Sequence, residues 1–296
     1  MMTEPWSGIF CAEGRPFVKM HGLRNHFVIV DARRDHYAPG KAEIAHVCDV
    51  RVGVGGDQLL VVEPSDAADA RLRILNIDGR EVGACGNATR CVAWLLLEET
   101  GADAVTIETR AAMLRCTRQG PREVSVEMGR IEHDWRKFPL AREVDTLDLP
   151  LAHGPLAHGV ASWVGNPHVT FFVQDLPALD VAALARPVLT DPLFPEQVNV
   201  GLGEILGPTR IRLQAYERPG ILTGACGTGA CAAVRAAQLR GLIGSGPVRV
   251  EMGAGAVTIE VDAQGSAVMT GPVATCFRGR LPLYAEGRDE RADDRN

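Results

Sequence analysis

"ACGNATRCVAWLLLEETG", residues 84–101, places Cys85 and Gly86 ahead of an apolar run that stops at Gly101, with a second thiol, Cys91, one and a half turns further on. The run predicts a helix over 87–100, ended by the residue type that helix C-termini favour. A near copy, "ACGTGACA", occupies residues 225–232 and predicts a second helix over 228–240, ending at Gly241. Cys226 lies 141 positions after Cys85 (226 − 85 = 141), and that offset recurs elsewhere. Asn25 in "GLRNHFVIV" falls on Asn166 in "WVGNPHVTFFV", Gln58 on Asn199, and Asn76 on Glu217. Beyond the helices "VTIETRA" and "VRVEMGA" align at 143, and Gly129 meets Gly271 at 142. Such spacing is the mark of a duplicated plan.

β-branched or alternating runs at 27–31, 58–62, 72–77, 105–108 and 124–128, separated by Gly, Pro and Asp turns, read as strands. The fold class is therefore α/β (α+β), in two pseudo-symmetric halves. In each half a polar side chain sits at a strand end or helix start: Asn25, Gln58, Asn76 and Cys85, then Asn166, Asn199, Glu217 and Cys226. Halves facing one another about a pseudo-twofold would bring these residues to one cleft, where ligand sites commonly form.

The 296 residues suffice for two ordinary domains, with 46% hydrophobic and 23% charged residues as in globular chains. A net charge of −6 argues against nucleic-acid or anionic-membrane surfaces, which need concentrated basic patches. A small anionic metabolite remains open to it, since a few buried arginines or helix ends suffice. The start "MMTEPWSGIFCAEG" has no basic region and apolar run of a signal peptide, and no window nears the ~18 apolar residues of a membrane span, so the expected location is cytoplasmic. Eight cysteines then read as thiols. Metal binding fares poorly, because five and four residues separate Cys85 from Cys91 and Cys226 from Cys231, with no clustered histidines. "GVGGD" lacks the lysine and helix of a phosphate loop and reads as a tight turn.

A cysteine at a helix N-terminus sits among unpaired N–H groups at the positive end of the macrodipole, which favours thiolate. The same N–H groups seat an anion, and Gly86, Gly227 and Gly229 let a carboxylate approach the backbone. Two such ends facing each other would hold one carboxylate between two sulfurs. If the atom bearing it is the α-carbon of an amino acid, one thiolate removes its proton from one face while the opposite thiol protonates the other. The centre inverts, and no cofactor or metal is required.

"KMHGLRNHFVIVD", "RVGVGGDQLL", "NIDGREVGACGNATRC", "GNPH", "VNVG", "YER" and "ACGTGACAA" occur in the order found in diaminopimelate epimerases, pyridoxal-independent enzymes that interconvert LL- and meso-diaminopimelate. The resemblance spans roughly 17–280. It implies two halves, each a curved, mostly antiparallel sheet wrapped around a central helix, with residues 1–129 plus the returning 272–296 in the first and 130–271 in the second. It also implies that Cys85 and Cys226 are the acid/base pair, assisted by His168 and Glu217, and that N–H groups of Gly86, Asn87, Gly227 and Thr228 hold the reacting carboxylate. Asn25, Gln58, Asn76, Asn166, Asn199 and Arg218 would line the substrate, with Glu217, and the Arg218 fork would take the distal carboxylate. The implied partner is a small amino acid, and the implied assembly a homodimer.

Cys91 and Cys231, inside the helices, read as packed thiols, as do Cys11, Cys48, Cys116 and Cys276, which lack repeat partners. His21 and His26 read as structural, and the tail "EGRDERADDRN" as a solvated, disordered end. Two departures from the family pattern bear on substrate choice. Arg24 and His26 stand where glycine and aspartate flank the asparagine, and "RPGIL" replaces Gly-x-Gly after Arg218. They motivate an alternative, a racemase of another amino acid; a thiol redox or binding protein is a third reading.

Overall fold

A computed structural model describes residues 14–282; Cys11, the leader reading and the charged tail lie outside them. The first repeat runs β1 (Arg15–Gly22), β2 (Asn25–Asp31), α1 (Lys41–Cys48), β3 (Gln58–Glu63), β4 (Ala70–Asn76), β5 (Glu81–Val82), α2 (Gly86–Thr100), β6 (Ala104–Thr109), β7 (Met113–Gly120) and β8 (Glu123–Arg130). After β9 (Leu149–His153) the plan recurs as β10 (Leu156–Trp163), β11 (Pro167–Phe172), α3 (Val181–Leu189), β12 (Asn199–Gly207), β13 (Arg210–Glu217), β14 (Ile221–Thr223), α4 (Gly227–Leu239), β15 (Val248–Met252), β16 (Gly255–Val261) and β17 (Ser266–Pro272). A last strand, β18 (Ala274–Leu281), closes the described chain.

The pairings duplicate as the elements do. β2 runs parallel to β3 with Phe27 opposite Gln58, and β11 parallel to β12 with His168 opposite Asn199, each pair 141 residues apart from its counterpart. β3 pairs antiparallel with β4 and β12 with β13, after which β4 takes β6, and β13 takes β15, in parallel. Antiparallel β6–β7–β8 and β15–β16–β17 complete the two sets. The repeats then meet edge to edge, because β8 pairs antiparallel with β17. β9 pairs with β10, but its counterpart β18 crosses back to β1, matching Arg15 to Leu281. Among the described residues the result is one hydrogen-bonded system of eighteen strands in which no repeat is built only from its own segment.

Each repeat wraps its strands around one helix. α2 buries Ala88, Cys91, Val92, Ala93, Leu96 and Leu97 against Phe27, Ile29, Leu60, Val62, Leu72, Ile74, Ile107 and Val126. Each large apolar side chain removed from water in this way contributes about 1.5–3 kcal/mol. β4 ("ARLRILN") and β6 ("AVTIET") alternate buried and half-buried residues, because only one face meets the helix. β2 and β3 are apolar on both faces, because α1 covers the far side, where Val28, Val30, Leu59 and Val61 pack on Ile44 and Val47. α3 covers β11 and β12 likewise, through Val181, Ala185 and Val188 on Val169, Phe171, Val200 and Leu202. Among the described residues no helix is long and apolar enough to cross a membrane.

The predicted strands and helices are found to within two residues. One cysteine reading is corrected: Cys48, Cys91, Cys116 and Cys231 are buried thiols, but Cys276 is exposed, on an outward-facing position of β18.

Candidate active site

Both cysteines cap their helices. Cys85 (φ −150, ψ 110) and Cys226 (φ −132, ψ 106) are extended residues on which α2 and α4 begin, so each sulfur stands where the first N–H groups have no carbonyl partner. Cys226 Sγ accepts from Gly229 N at 3.4 Å, whereas Cys85 Sγ makes no capping bond and donates to Asn25 Oδ1 at 3.8 Å. The two caps open into one cleft of about 970 Å³ between the repeats. Its walls include Asn25, Gln58, Asn76, Cys85, Gly86 and Asn87 from the first repeat, and Asn166, Glu217, Arg218, Cys226, Gly227 and Thr228 from the second.

Close packing explains the glycine after each cysteine. A methyl on Gly227 would lie 2.8 Å from Met269 Sδ, and one on Gly86 would run into Met269 Cε, with Met128 Cε at 3.3 Å. Met128 and Met269 are themselves 141 residues apart, on β8 and β17, the strands that join the repeats. Both helix starts thus close on Met269, with Met128 also beside Gly86, and any larger residue must displace those side chains.

The first-repeat wall is tied together by short bonds. Asn25 Nδ2 donates to Asp57 Oδ2 at 2.8 Å, Asn87 Nδ2 to Asn25 Oδ1 at 3.3 Å, and Gln58 Nε2 to Asn76 Oδ1 at 2.8 Å. Gln58 Oε1 is buried with no partner, an acceptor aimed at nothing in the protein. In the second repeat Thr223 Oγ1 donates to Glu217 Oε1 at 2.7 Å beside Cys226. Arg218 gives its backbone N–H to Asn199 Oδ1 at 3.0 Å and one guanidinium donor to the Glu196 carbonyl at 3.0 Å. His168 and Asn199, 2% and 4% exposed, stand behind the wall rather than on it. His168 Nε2 lies 2.9 Å from Asn166 Oδ1, which only accepts, and 3.0 Å from Thr228 Oγ1. The ring therefore orients two residues that do face the cleft.

The expectation that a helix N-terminus favours the thiolate is opposed by burial at both cysteines. Burial pushes the Cys85 thiol up from its ordinary value, although N–H groups of Ala88 and Asn87 and the Arg90 charge pull against it. Burial and the Glu217 carboxylate push Cys226 higher still, against Gly229 N–H and Thr228. Desolvation outweighs the macrodipole where a thiol is packed this deeply. Burial likewise pushes His168 down to about 3, with Arg218 adding to the shift, so the ring is neutral.

Sequence reasoning passed over Asp57, Arg110, Thr223 and the methionine pair. Asp57 was readable, since it abuts Gln58 in "GGDQLL". The methionines were readable only by extending the 141 offset past the helices. Arg24 takes φ 61, where its counterpart Gly165 takes φ 80, in the Gly22–Asn25 hairpin turn. The left-handed requirement persists there although the glycine does not. After Arg218 the positive φ falls on Gly220, at 134, and Ile221 is spared it.

The family model described as diaminopimelate epimerase matches residues 17–133 and again 160–276, once per repeat. A diaminopimelate epimerase of Phenylobacterium zucineum is 48% identical over 275 residues, covering 92% of this chain and 99% of that one. One of Acidiphilium cryptum is 47% identical, covering 91% and 97%. Solved structures resemble it in fold at low identity: an Agrobacterium vitis hydroxyproline epimerase with bound trans-4-hydroxy-L-proline (18% identity, 92% and 93% covered, TM-score 0.63) and an Enterococcus faecalis PhzF-family protein (14%, 92% and 100%, TM-score 0.67). With the model matched in both repeats and relatives nearly half identical across almost their whole length, the chain belongs to the diaminopimelate epimerase family.

Proposed function

We propose that this chain, an isomerase by family, interconverts LL- and meso-2,6-diaminopimelate by proton transfer at one α-carbon, with Cys85 on one face and Cys226 on the other. The observation that carries the reading is the pair of cysteine-capped helices opening on one polar cleft from equivalent positions of a repeat. The reacting carboxylate binds the N–H groups of Gly86, Asn87, Gly227 and Thr228, which also take up the charge that develops as the α-proton leaves. One sulfur, as thiolate, takes that proton and becomes a thiol; the other, as thiol, delivers its own to the opposite face and becomes a thiolate. Glu217, beside Cys226, exchanges the proton of that sulfur with solvent, and the pair is reset once Cys85 has exchanged its own through the cleft. Gln58 Oε1, otherwise unpartnered, suits an ammonium group, and the remaining Arg218 donors suit the distal carboxylate. His168 keeps Asn166 and Thr228 in place. No cofactor is needed in this scheme.

The same reading divides the chain into 1–129 plus 272–296 and 130–271, and makes it a cytoplasmic homodimer. Incubating the reduced protein with LL-diaminopimelate in D2O should give α-deuterium and the meso isomer, and Cys85→Ala and Cys226→Ala should abolish inversion. No exchange by folded, reduced protein would overturn the proposal. Exchange confined to another amino acid would move the substrate while keeping the chemistry, and Arg24 at the cleft mouth is where such a difference would be sought.

A further inference from the structure

Arg90, on α2, is the largest fully buried side chain among the described residues, 0% exposed. Its guanidinium faces no carboxylate: among the described residues it forms no salt bridge. Nη2 donates to Asn87 Oδ1 at 2.7 Å, Nη1 reaches Met269 Sδ at 3.2 Å, and Nε has no partner. It is wedged against the backbone of Gly22 and Gly271, where a methyl would lie 3.2 Å from Nη2 and 3.1 Å from Cζ. A buried cation without a counter-ion is costly, and arginine does not escape by losing its proton. Such a cation favours the ionised form of any acidic group beside it.

The titratable groups around it are few. Its own helix offers Cys85 and Cys91, and α4 offers Cys231. Strand β13 contributes Glu217, which acts on Cys85, and Cys276 of β18 acts on Cys91. Cys91 and Cys231 are enclosed core thiols, and burial pushes Cys231 up to about 12. Of the three cysteines beside Arg90, Cys85 alone opens on the cleft, where a proton can pass to solvent. It is joined to Arg90 by hydrogen bonds as well: Arg90 holds Asn87, Asn87 donates to Asn25 Oδ1, and Cys85 donates to the same oxygen. In the second repeat the position 141 residues on is Cys231, which brings no charge, and Cys226 faces the Glu217 carboxylate instead. The two cysteines are equivalent in the fold and opposite in their surroundings, one backed by a cation and the other by an anion.

We propose that Arg90 is a positioning residue that makes Cys85, rather than Cys226, the first of the pair to give up its proton, which leaves to solvent through the cleft. This rests on the reading of the pair as the proton-transfer groups. The test needs no substrate. In a Cys226→Ala background, iodoacetamide labelling of Cys85 is followed by peptide mass spectrometry across pH, which separates it from the exposed Cys276. Arg90→Met, which keeps length and removes charge, should move the labelling midpoint up by a unit or more, an about tenfold slower reaction at pH 7. Arg90→Lys should hold it near wild type, and the acid limb of kcat/KM in the two-cysteine chain should shift in parallel. Superimposed profiles for wild type and Arg90→Met, or equal shifts in both variants, would overturn the proposal. Should the variants fail to fold, Cys85 in Cys226→Ala must still titrate below Cys226 in Cys85→Ala, and the reverse order overturns it. Labelling that follows Arg90 in a protein inactive on diaminopimelate would remove the substrate assignment and leave Arg90's role intact.

Discussion

Gly86 and Gly227 show how much of this site is set by single residues. A methyl at either position meets Met269, a flexible side chain that can swing aside. Gly86→Ala should therefore cost only about 1–3 kcal/mol in stability. Activity should fall further, on the order of 100-fold, because the N–H groups that seat the carboxylate move with the displaced helix start. Urea midpoints and kcat measured side by side check this, and a fully active variant would show that the close approach is not needed. At Arg24 the expectation has the opposite sign. The residue holds φ 61 where glycine would be unstrained, so Arg24→Gly should stabilise the fold by about 0.5–1 kcal/mol, the left-handed cost less glycine's entropy, read as a higher urea midpoint. His168 gives a pH dependence. Its folded value is depressed to about 3, so the unfolded chain takes up the proton first as pH falls. The stabilisation from keeping it neutral is complete above about 6.5 and drains by about 1.4 kcal/mol per unit between there and 3. His168→Asn should flatten that part of the stability curve, and an unchanged slope would contradict the buried neutral ring.

At the scale of elements, the helices around which each repeat folds were the most legible part of the sequence. Each has a polar start, an apolar run and a glycine stop, and Gly101 takes the left-handed φ of 68 with its N–H on Leu97 O at 3.0 Å. Leu97 is fully buried at the centre of that packing, so Leu97→Ala should cost about 2–5 kcal/mol. Leu95→Ala, at a half-buried position of the same helix, should cost clearly less. Equal urea midpoints for the two variants would mean that α2 is not the packing centre. Strands with one wet face announced themselves by alternation. α1 and α3 did not, because each is only eight or nine residues long and α3 carries Pro187 inside it. The ionisation of the cysteines was the least legible of all. A cap position can be read from spacing, but the desolvation that opposes the macrodipole depends on what packs over the sulfur, and the packing partners come from strands far away in the chain.

For the molecule as a whole, the 141-residue offset carried the duplication and its cleft, since equivalent residues must land on equivalent strands. It could not reveal the exchange in which β9 stays with the second repeat while β18 returns to β1, because both follow the same β8- or β17-type strand and no local residue marks the crossing. Nor could it reveal how the repeats hold together. One tie is Leu23, at the tip of the β1–β2 turn, 8% exposed and packed not in its own core but in the one around α4, with Ile131, Val164 and Met269. Its Cδ2 comes within 2.7 Å of where a methyl on Gly255 would stand, so the turn is driven deep into the opposite wall. Leu23→Ala removes that anchor and touches neither central helix. Hydrogen exchange of α2 and α4 amides reads the consequence. If the repeats unfold as one cooperative unit, the most protected amides of both helices share one opening free energy in the wild type. In Leu23→Ala the α4 amides, whose core has lost a side chain, should open more easily than those of α2. A uniform drop in both helices would show instead that the β8–β17 pairing alone suffices to keep the two repeats a single unit.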